Sequence, residues 1–245
     1  MNNGVYAAVL GSRMENFRMD VIANNLANAD TVGFKAEVPR FQQHLDYLRE
    51  DFSNAATNGT NDVGAYFQSV GRFEPGSIKT TGRMGDAAID GDGFFVVQTP
   101  DGGQAFTRAG NFRINEEGNL TTSAGLPVMG DGGEITVGDA AEFHVEKDGT
   151  VIADGAAIGQ LQIVGVENPE SLQKRGANLL VPTQGTQINE EPEFQIIGEA
   201  LEGSNVNVIR EMTTMVTAGR QFEAYQRTIK MMDELNQRST SLGRI

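Results

Sequence analysis

The sequence predicts an α+β protein. The two terminal helices form an antiparallel coiled coil, one discontinuous domain, and a central all-β sandwich or barrel-like domain lies between them. Three observations predict this. Apolar residues recur in alternating steps of three and four near both ends, the spacing that keeps one helix face against a partner. From about Tyr66 to Gly198, short apolar runs are separated by turn signals such as Asp101-Gly102-Gly103, Glu117-Gly118-Asn119, Asp131-Gly132-Gly133 and Asp148-Gly149, the pattern of successive hairpins. Gly 30 against Pro 7 favours many tight turns.

Residues 4–28 read as one helix. Its seam is Ala7, Leu10, Met14, Phe17 and Val21, and two more steps reach Asn24 and Asn28. Asparagine on a seam costs stability but fixes register, because a slipped pairing leaves the amide unsatisfied. The same asparagines also suit a fraying helix end, and both readings stand. A second row, Met19, Ile22 and Leu26, faces elsewhere and would need a further partner. Asp30 and Thr31 end the helix, Gly33 permits a positive φ, and Phe34 is placed as an apolar anchor. Phe41, Leu45, Leu48 and Phe52 sit at helical spacing, so a second short helix is expected over 38–52, followed by a polar linker at 53–62.

Strands are expected at Phe94–Gln98, Gln104–Arg108, Phe112–Ile114, Ile135–Val137, Thr150–Ala153, Leu161–Val166 and Gln195–Gly198. Closely spaced hairpins without intervening helices indicate an antiparallel sandwich or distorted barrel. After the polar turn Glu202–Asn207, a proline-free helical pattern runs to the end. Its seam is Met215, Ala218, Phe222, Tyr225, Ile229 and Met232, with Met231, Leu235 and Leu242 on a second row. Both helices rejoin the middle near Phe34 and Leu201, so they should run antiparallel, with Val21 near Met215 and Phe17 near Phe222. Phe34 and Asn205 would set the junction with the β-domain. The expected domains are 1–35 with 200–245 for assembly, 36–65 as short helix and linker, and 66–199 as the β-rich body.

The composition excludes several functions. A formal net charge of -14 argues against nucleic acid or anionic membrane as a partner, since both need clustered Lys and Arg. Cys 0 removes disulfides and thiolate chemistry. Asn16, Arg18 and Asp20 interrupt any apolar signal core, so a cleaved signal peptide is not expected. No run of about 18 apolar residues could span a membrane. Asp90-Gly91-Asp92-Gly93 starts like a calcium loop, but the fifth position is Phe94 and the twelfth is Asp101, so the ligand pattern fails. His44 and His144 have no second ligand at metal spacing. No nucleophile elbow or phosphate-cradling loop is present, and the pairs Glu116-Glu117 and Glu190-Glu191 fall in turn-like stretches. No catalytic residue, cofactor or metal is expected. Arg108 would pair with a nearby carboxylate or link to a neighbouring subunit.

Asn24-Asn25-Leu26-Ala27-Asn28, followed by Thr31-Val32-Gly33-Phe34-Lys35, resembles the N-terminal signature of the bacterial flagellar rod and hook proteins. Ala88–Phe95, Phe106–Phe112 and Leu201–Asn207 resemble three further stretches of that family, in the same order. Within it, the length, the simple middle and Leu126–Gly133 followed by Ile135-Thr136-Val137 look most like a proximal rod subunit. The resemblance implies a structural subunit that stacks into a tubular drive shaft across the periplasm and carries torque. Its partners would be copies of itself, other rod proteins, neighbouring hook-basal-body components and the type III export apparatus that delivers it unfolded. The assembly residues would be Leu10, Met14, Phe17, Val21, Asn24, Asn28, Met215, Phe222, Tyr225, Ile229, Met232 and Leu235. The alternatives are a distal rod or hook-type subunit, a peptidoglycan-acting enzyme with a carboxylate pair in a groove, or a polysaccharide-binding β-domain with coiled-coil ends.

Overall fold

A computed structural model describes residues 2–43, 65–138, 142–176, 178–190 and 192–242. The chain divides into two compact units: Met1–Ala27, Glu37–Val70 and Asn207–Ile245 make the first, and Asn28–Ala36 with Gly71–Val206 the second.

The first unit holds helix α1, Asn2–Ala27, and helix α2, Val208–Leu242. At 1.5 Å per residue, α2 is roughly 50 Å long. Its start is defined by Asn207, whose side-chain Oδ1 accepts a hydrogen bond from the Arg210 backbone N–H at 3.0 Å. That is an N-cap, and Glu211 in the first turn adds a favourable charge beside the exposed N–H groups. The two helices pack side by side and run in opposite directions, with Gly4 beside Met232 and Gly11 beside Tyr225.

Residues 37–43 correct one expectation. In place of the start of a short helix, Glu37–Gln43 is a strand paired with Ala65–Gly71. The reason is local. Pro39 lacks a backbone N–H and pushes Val38 towards extended backbone. The Asn25 side chain then brackets Glu37, donating to its carbonyl and accepting from its N–H, both at 2.8 Å. Leu45, Leu48, Phe52 and the linker at 53–62 lie outside the described residues.

The second unit is built on an antiparallel six-stranded sheet. In spatial order its strands are Leu172–Lys174, Leu180–Pro182, Gln104–Thr107, Phe94–Gln98, Ile163–Val166 and Ile188–Asn189. The central strand explains its own sequence. Phe95 and Val97 enter one buried cluster, while Phe94 and Val96 enter another on the opposite face. A strand covered on both faces has no polar side, hence the unbroken run Phe94-Phe95-Val96-Val97. Smaller antiparallel pairs complete the unit, among them Phe194–Gly198 on Ala87–Gly91 and Ala200–Glu202 on Ile78–Thr80. The segment entering from α1 is seated by Gly33, whose φ is 67°. A side chain there would meet the Arg108–Ala109 backbone at 2.5 Å, so only glycine fits.

Candidate functional site: a helix pair and a buried ion triad

The helix pair touches most closely at small and polar residues of α1. A Cβ on Gly11 would come within 2.5 Å of the Tyr225 ring. Ser12 Oγ accepts from the Gln226 amide at 3.1 Å. In the orientation that satisfies both groups, the Gln221 amide donates to both carboxylate oxygens of Glu15, at 3.0 and 3.3 Å. Among the described side chains, Ala8, Ser12, Glu15, Val21, Ile22 and Asn25 are buried on α1, and Ala218 is buried on α2.

The residues expected at the seam occupy varied positions. Leu10, Met14 and Phe17 are half-buried, and Val21 is buried. Phe17 stacks on Phe67 at 5.7 Å. Asn24 is exposed, while Asn28 is half-buried and its Oδ1 accepts from the Thr31 hydroxyl. On α2, Met215, Phe222, Tyr225, Ile229 and Met232 are half-buried and Leu235 is exposed. The side chain of Leu242 lies outside the described residues.

Exposed apolar side chains also lie towards the two ends of α2, separated on that side by the exposed Arg220, Glu223 and Arg227. Ile209 is 77% exposed, Met212 56%, Val216 57%, Met231 62% and Leu235 56%. At about 100° per residue, these fall on the face opposite Met215, Phe222 and Ile229. A helix that is apolar on two opposite sides requires two partners.

The second unit contains a set of charges that apolar periodicity does not reveal. Glu202, at the end of its strand, is 1% exposed, and Lys35 and Arg108 are 3% and 6% exposed. Glu202 Oε1 accepts from Lys35 Nζ at 2.7 Å and from the Gly76 backbone N–H at 2.8 Å. Its Oε2 accepts from Arg108 Nη1 at 3.3 Å. The cations are held further by carbonyls: Lys35 Nζ donates to Glu74 O, and Arg108 donates to Ile89 O and Gly91 O. Burial pushes the Lys35 ammonium below its ordinary value, and the neighbouring Glu202 carboxylate opposes that fall. Burial likewise lowers Arg108, opposed by Glu202 and Asp92. Of the two partners the sequence leaves open for Arg108, the structure places a carboxylate of the same chain against it.

Asn205, three residues on from Glu202, ties two segments of this unit together. Its Oδ1 accepts from Ala36 N–H at 2.7 Å, and its Nδ2 donates to Arg72 O and Glu74 O at 2.8 and 2.9 Å. Phe34 is buried under Lys174, whose Nζ lies 4.1 Å from the ring centroid. Gly11, Ser12, Glu15, Asn25, Lys35 and Glu202 were not singled out by sequence reasoning. Lys35 and Glu202 both stand inside the family motifs quoted above, and that is the signal that points to the pair.

Long helices at both ends, apolar on more than one face, and a β-rich unit tied at its chain exits are the build of a structural subunit. Comparison with known proteins narrows the class. Residues 12–35 match the flagella basal body rod protein family, residues 88–153 the D1 domain of the flagellar hook proteins FlgE/F/G, and residues 197–242 the C-terminal region of the rod FlgEFG proteins. The chain is 34% identical to the flagellar basal-body rod protein FlgF of Caulobacter vibrioides, over the whole of both chains. It is 31% identical to FlgF of Salmonella typhimurium, covering 99% of this chain and 98% of that one. It is 33% identical to the rod protein FlgG of Bacillus subtilis, again over the whole of both. The chain therefore belongs to the flagellar basal-body rod protein family.

Proposed function

We propose that this rod subunit polymerises through its terminal helices into a tubular shaft that transmits torque across the periplasm. The observation that carries the proposal is the two-faced α2. One face packs on α1, and the other leaves Ile209, Met212, Val216, Met231 and Leu235 in water. Clusters of exposed large apolar residues, here one towards each end of α2, mark surfaces that associate. In this reading α1 and α2 form an antiparallel coiled coil over Leu10, Met14, Phe17 and Val21 against Met215, Phe222, Tyr225, Ile229 and Met232. Asn24 and Asn28 set its register, and Leu235 extends the contact to a neighbour. Phe34 and Asn205 fix the junction with the β-rich body. A head-to-tail contact that does not close on itself builds a helical filament. The role is mechanical: load passes through packed helices, with no reaction catalysed. Other rod proteins and hook-basal-body components are the neighbours, and the flagellar type III apparatus delivers the chain.

The test is Val216→Asp. The purified variant should keep the helix content of the parent by circular dichroism. Cells relying on it should build no complete rod and should not swim. Normal rods with this change would refute the assembly face.

A position in the proximal rod is the reading carried by the relatives named FlgF. Relatives named FlgG match at similar identity over similar lengths, which supports a distal position as the second reading. Complementation of strains lacking one or the other protein separates the two.

A further inference from the structure

The second unit carries an open groove of about 470 Å³ away from both helices in sequence. Its apolar walls are Phe73, Pro169 and Pro192, and its rim carries the exposed carboxylates of Asp92, Glu167 and Glu193. Arg108 lines the groove as well, facing Glu202 and Asp92, which leaves Glu167 and Glu193 as the main source of negative charge on the rim. The groove thus presents grease with a negative rim, the complement of a segment with large apolar tips and positive charge.

The same unit displays such a segment. Ser77 to Met84 is exposed at every residue. It carries Lys79 and Arg83, the large apolar side chains Ile78 and Met84, and no acidic residue. Ile78 is 37% exposed and Met84 47%. The rest of the second unit's exposed large apolar residues, Ile188 and Ile197, have no Lys or Arg within five positions. Arg83 also pairs with Asp86 of its own chain at 3.5 Å while staying exposed, so on a chain with net charge -14 Lys79 is the principal cation this stretch offers a partner.

We propose that this groove receives the Ser77–Met84 segment of a second copy of the chain, a contact between β-rich units in addition to the helix contacts. Met84 or Ile78 would lie on Phe73 and the two prolines, and Lys79 and Arg83 would meet the Asp92, Glu167 and Glu193 rim. Groove and segment are different surfaces of one unit, so the contact is head-to-tail, and it repeats along an open filament when the rotation between copies does not close. Exposed charge pairs of this kind contribute little affinity individually but select orientation and reject like-charged partners. The inference rests on the self-assembling reading above.

The chain has Cys 0, so introduced cysteines report one contact at a time. Full-length Met84→Cys and Asn189→Cys chains are co-expressed in flagellated cells, and isolated basal bodies are oxidised and run without reductant. The expected result is a band at twice the subunit mass when both variants are present and none with either alone. Lys79→Cys serves in place of Met84→Cys if that variant does not assemble. Dimer from Met84→Cys alone, cross-linking of Asn189→Cys to a different rod component, or rods without any cross-link would each overturn the proposal and leave the helix-driven assembly standing. Failure of the unmodified chain to enter rods would overturn both.

Discussion

The sharpest expectation concerns Glu202→Gln. The substitution keeps size and shape, and changes one carboxylate oxygen into an N–H₂. In the parent, Oε1 accepts from Lys35 and Gly76, and Oε2 accepts from Arg108. Either orientation of the new amide aims a donor at donors: at Arg108, or at Lys35 and Gly76 together. Two cations then remain in a site where every member is at least nine-tenths buried, without the anion between them. Breaking a buried ion network by removing one partner costs about 3–5 kcal/mol. With a urea dependence of about 2 kcal/mol per molar, the unfolding midpoint of the second unit should fall by roughly 2 M. Urea titration of the full chain, followed by circular dichroism, reads this directly. A cost below about 1 kcal/mol, the range of exposed pairs, would refute the triad as a stabilising feature. Lys35→Met should cost less, because Glu202 keeps Arg108 and the Gly76 N–H, and the double variant should recover part of the Glu202→Gln loss.

The variant should also acquire a pH dependence. Burial already lowers Lys35 from its ordinary value of 10.5, and Glu202 is what raises it. With the carboxylate gone, the folded-state value drops further. The folded chain then binds fewer protons at this site than the unfolded chain, so stability increases with pH between the lowered folded value and the ordinary unfolded one. As pH falls through that window, stability is lost, and below the folded value it levels off. The parent should show the same sign with smaller amplitude. A Glu202→Gln chain with a pH profile parallel to the parent would mean that Lys35 does not sense the carboxylate.

Three further changes test the local geometry. Gly11→Ala places a methyl into the Tyr225 ring. Overpacking of about 1–3 kcal/mol should outweigh a helix-propensity gain of about 1 kcal/mol, lowering the thermal midpoint of the helix signal, and Tyr225→Leu should abolish the penalty. Asn205→Ala deletes three side-chain hydrogen bonds and should cost about 2–4 kcal/mol in urea titration, with faster amide exchange at Ala36. Asn25→Ala frees Glu37 at both backbone groups and should cost about 1–3 kcal/mol, read as loss of exchange protection over Glu37–Gln43 with α1 otherwise intact.

The legible parts of this molecule are those with a repeating apolar code. The helices expected at 4–28 and after Asn207 appear as Asn2–Ala27 and Val208–Leu242. The strands expected at Phe94–Gln98 and Thr150–Ala153 appear with those bounds. Turn glycines separated them correctly because backbone demands act on single residues. The strand at Glu37–Gln43 was misread because spacing of Phe41, Leu45, Leu48 and Phe52 was weighed above Pro39, a local veto on helix. The α1 contact face was incompletely read for a related reason. Counting large apolar residues finds Leu10, Met14 and Phe17, yet the backbone approaches α2 where side chains are small, at Gly11 and Ser12. The triad was invisible because Lys35, Arg108 and Glu202 are far apart in the chain and charges are ordinarily assigned to solvent. Only the folded path joins them.

The two units divide the physical work. The second buries whole side chains: Phe95, Phe106, Phe112, Leu120, Ile196 and Val151 are each no more than 1% exposed, with the ion triad and Asn205 holding its exits. The helix pair meets through a glycine, a serine and a glutamate–glutamine contact, and the seam side chains of α2 are mostly half-exposed. Polar contacts in such a seam define register more than they add stability, so the pair is specified without being sealed. Sealing it with larger apolar residues would firm the pair but leave Ile209, Met212, Val216, Met231 and Leu235 on the other side of α2 uncovered.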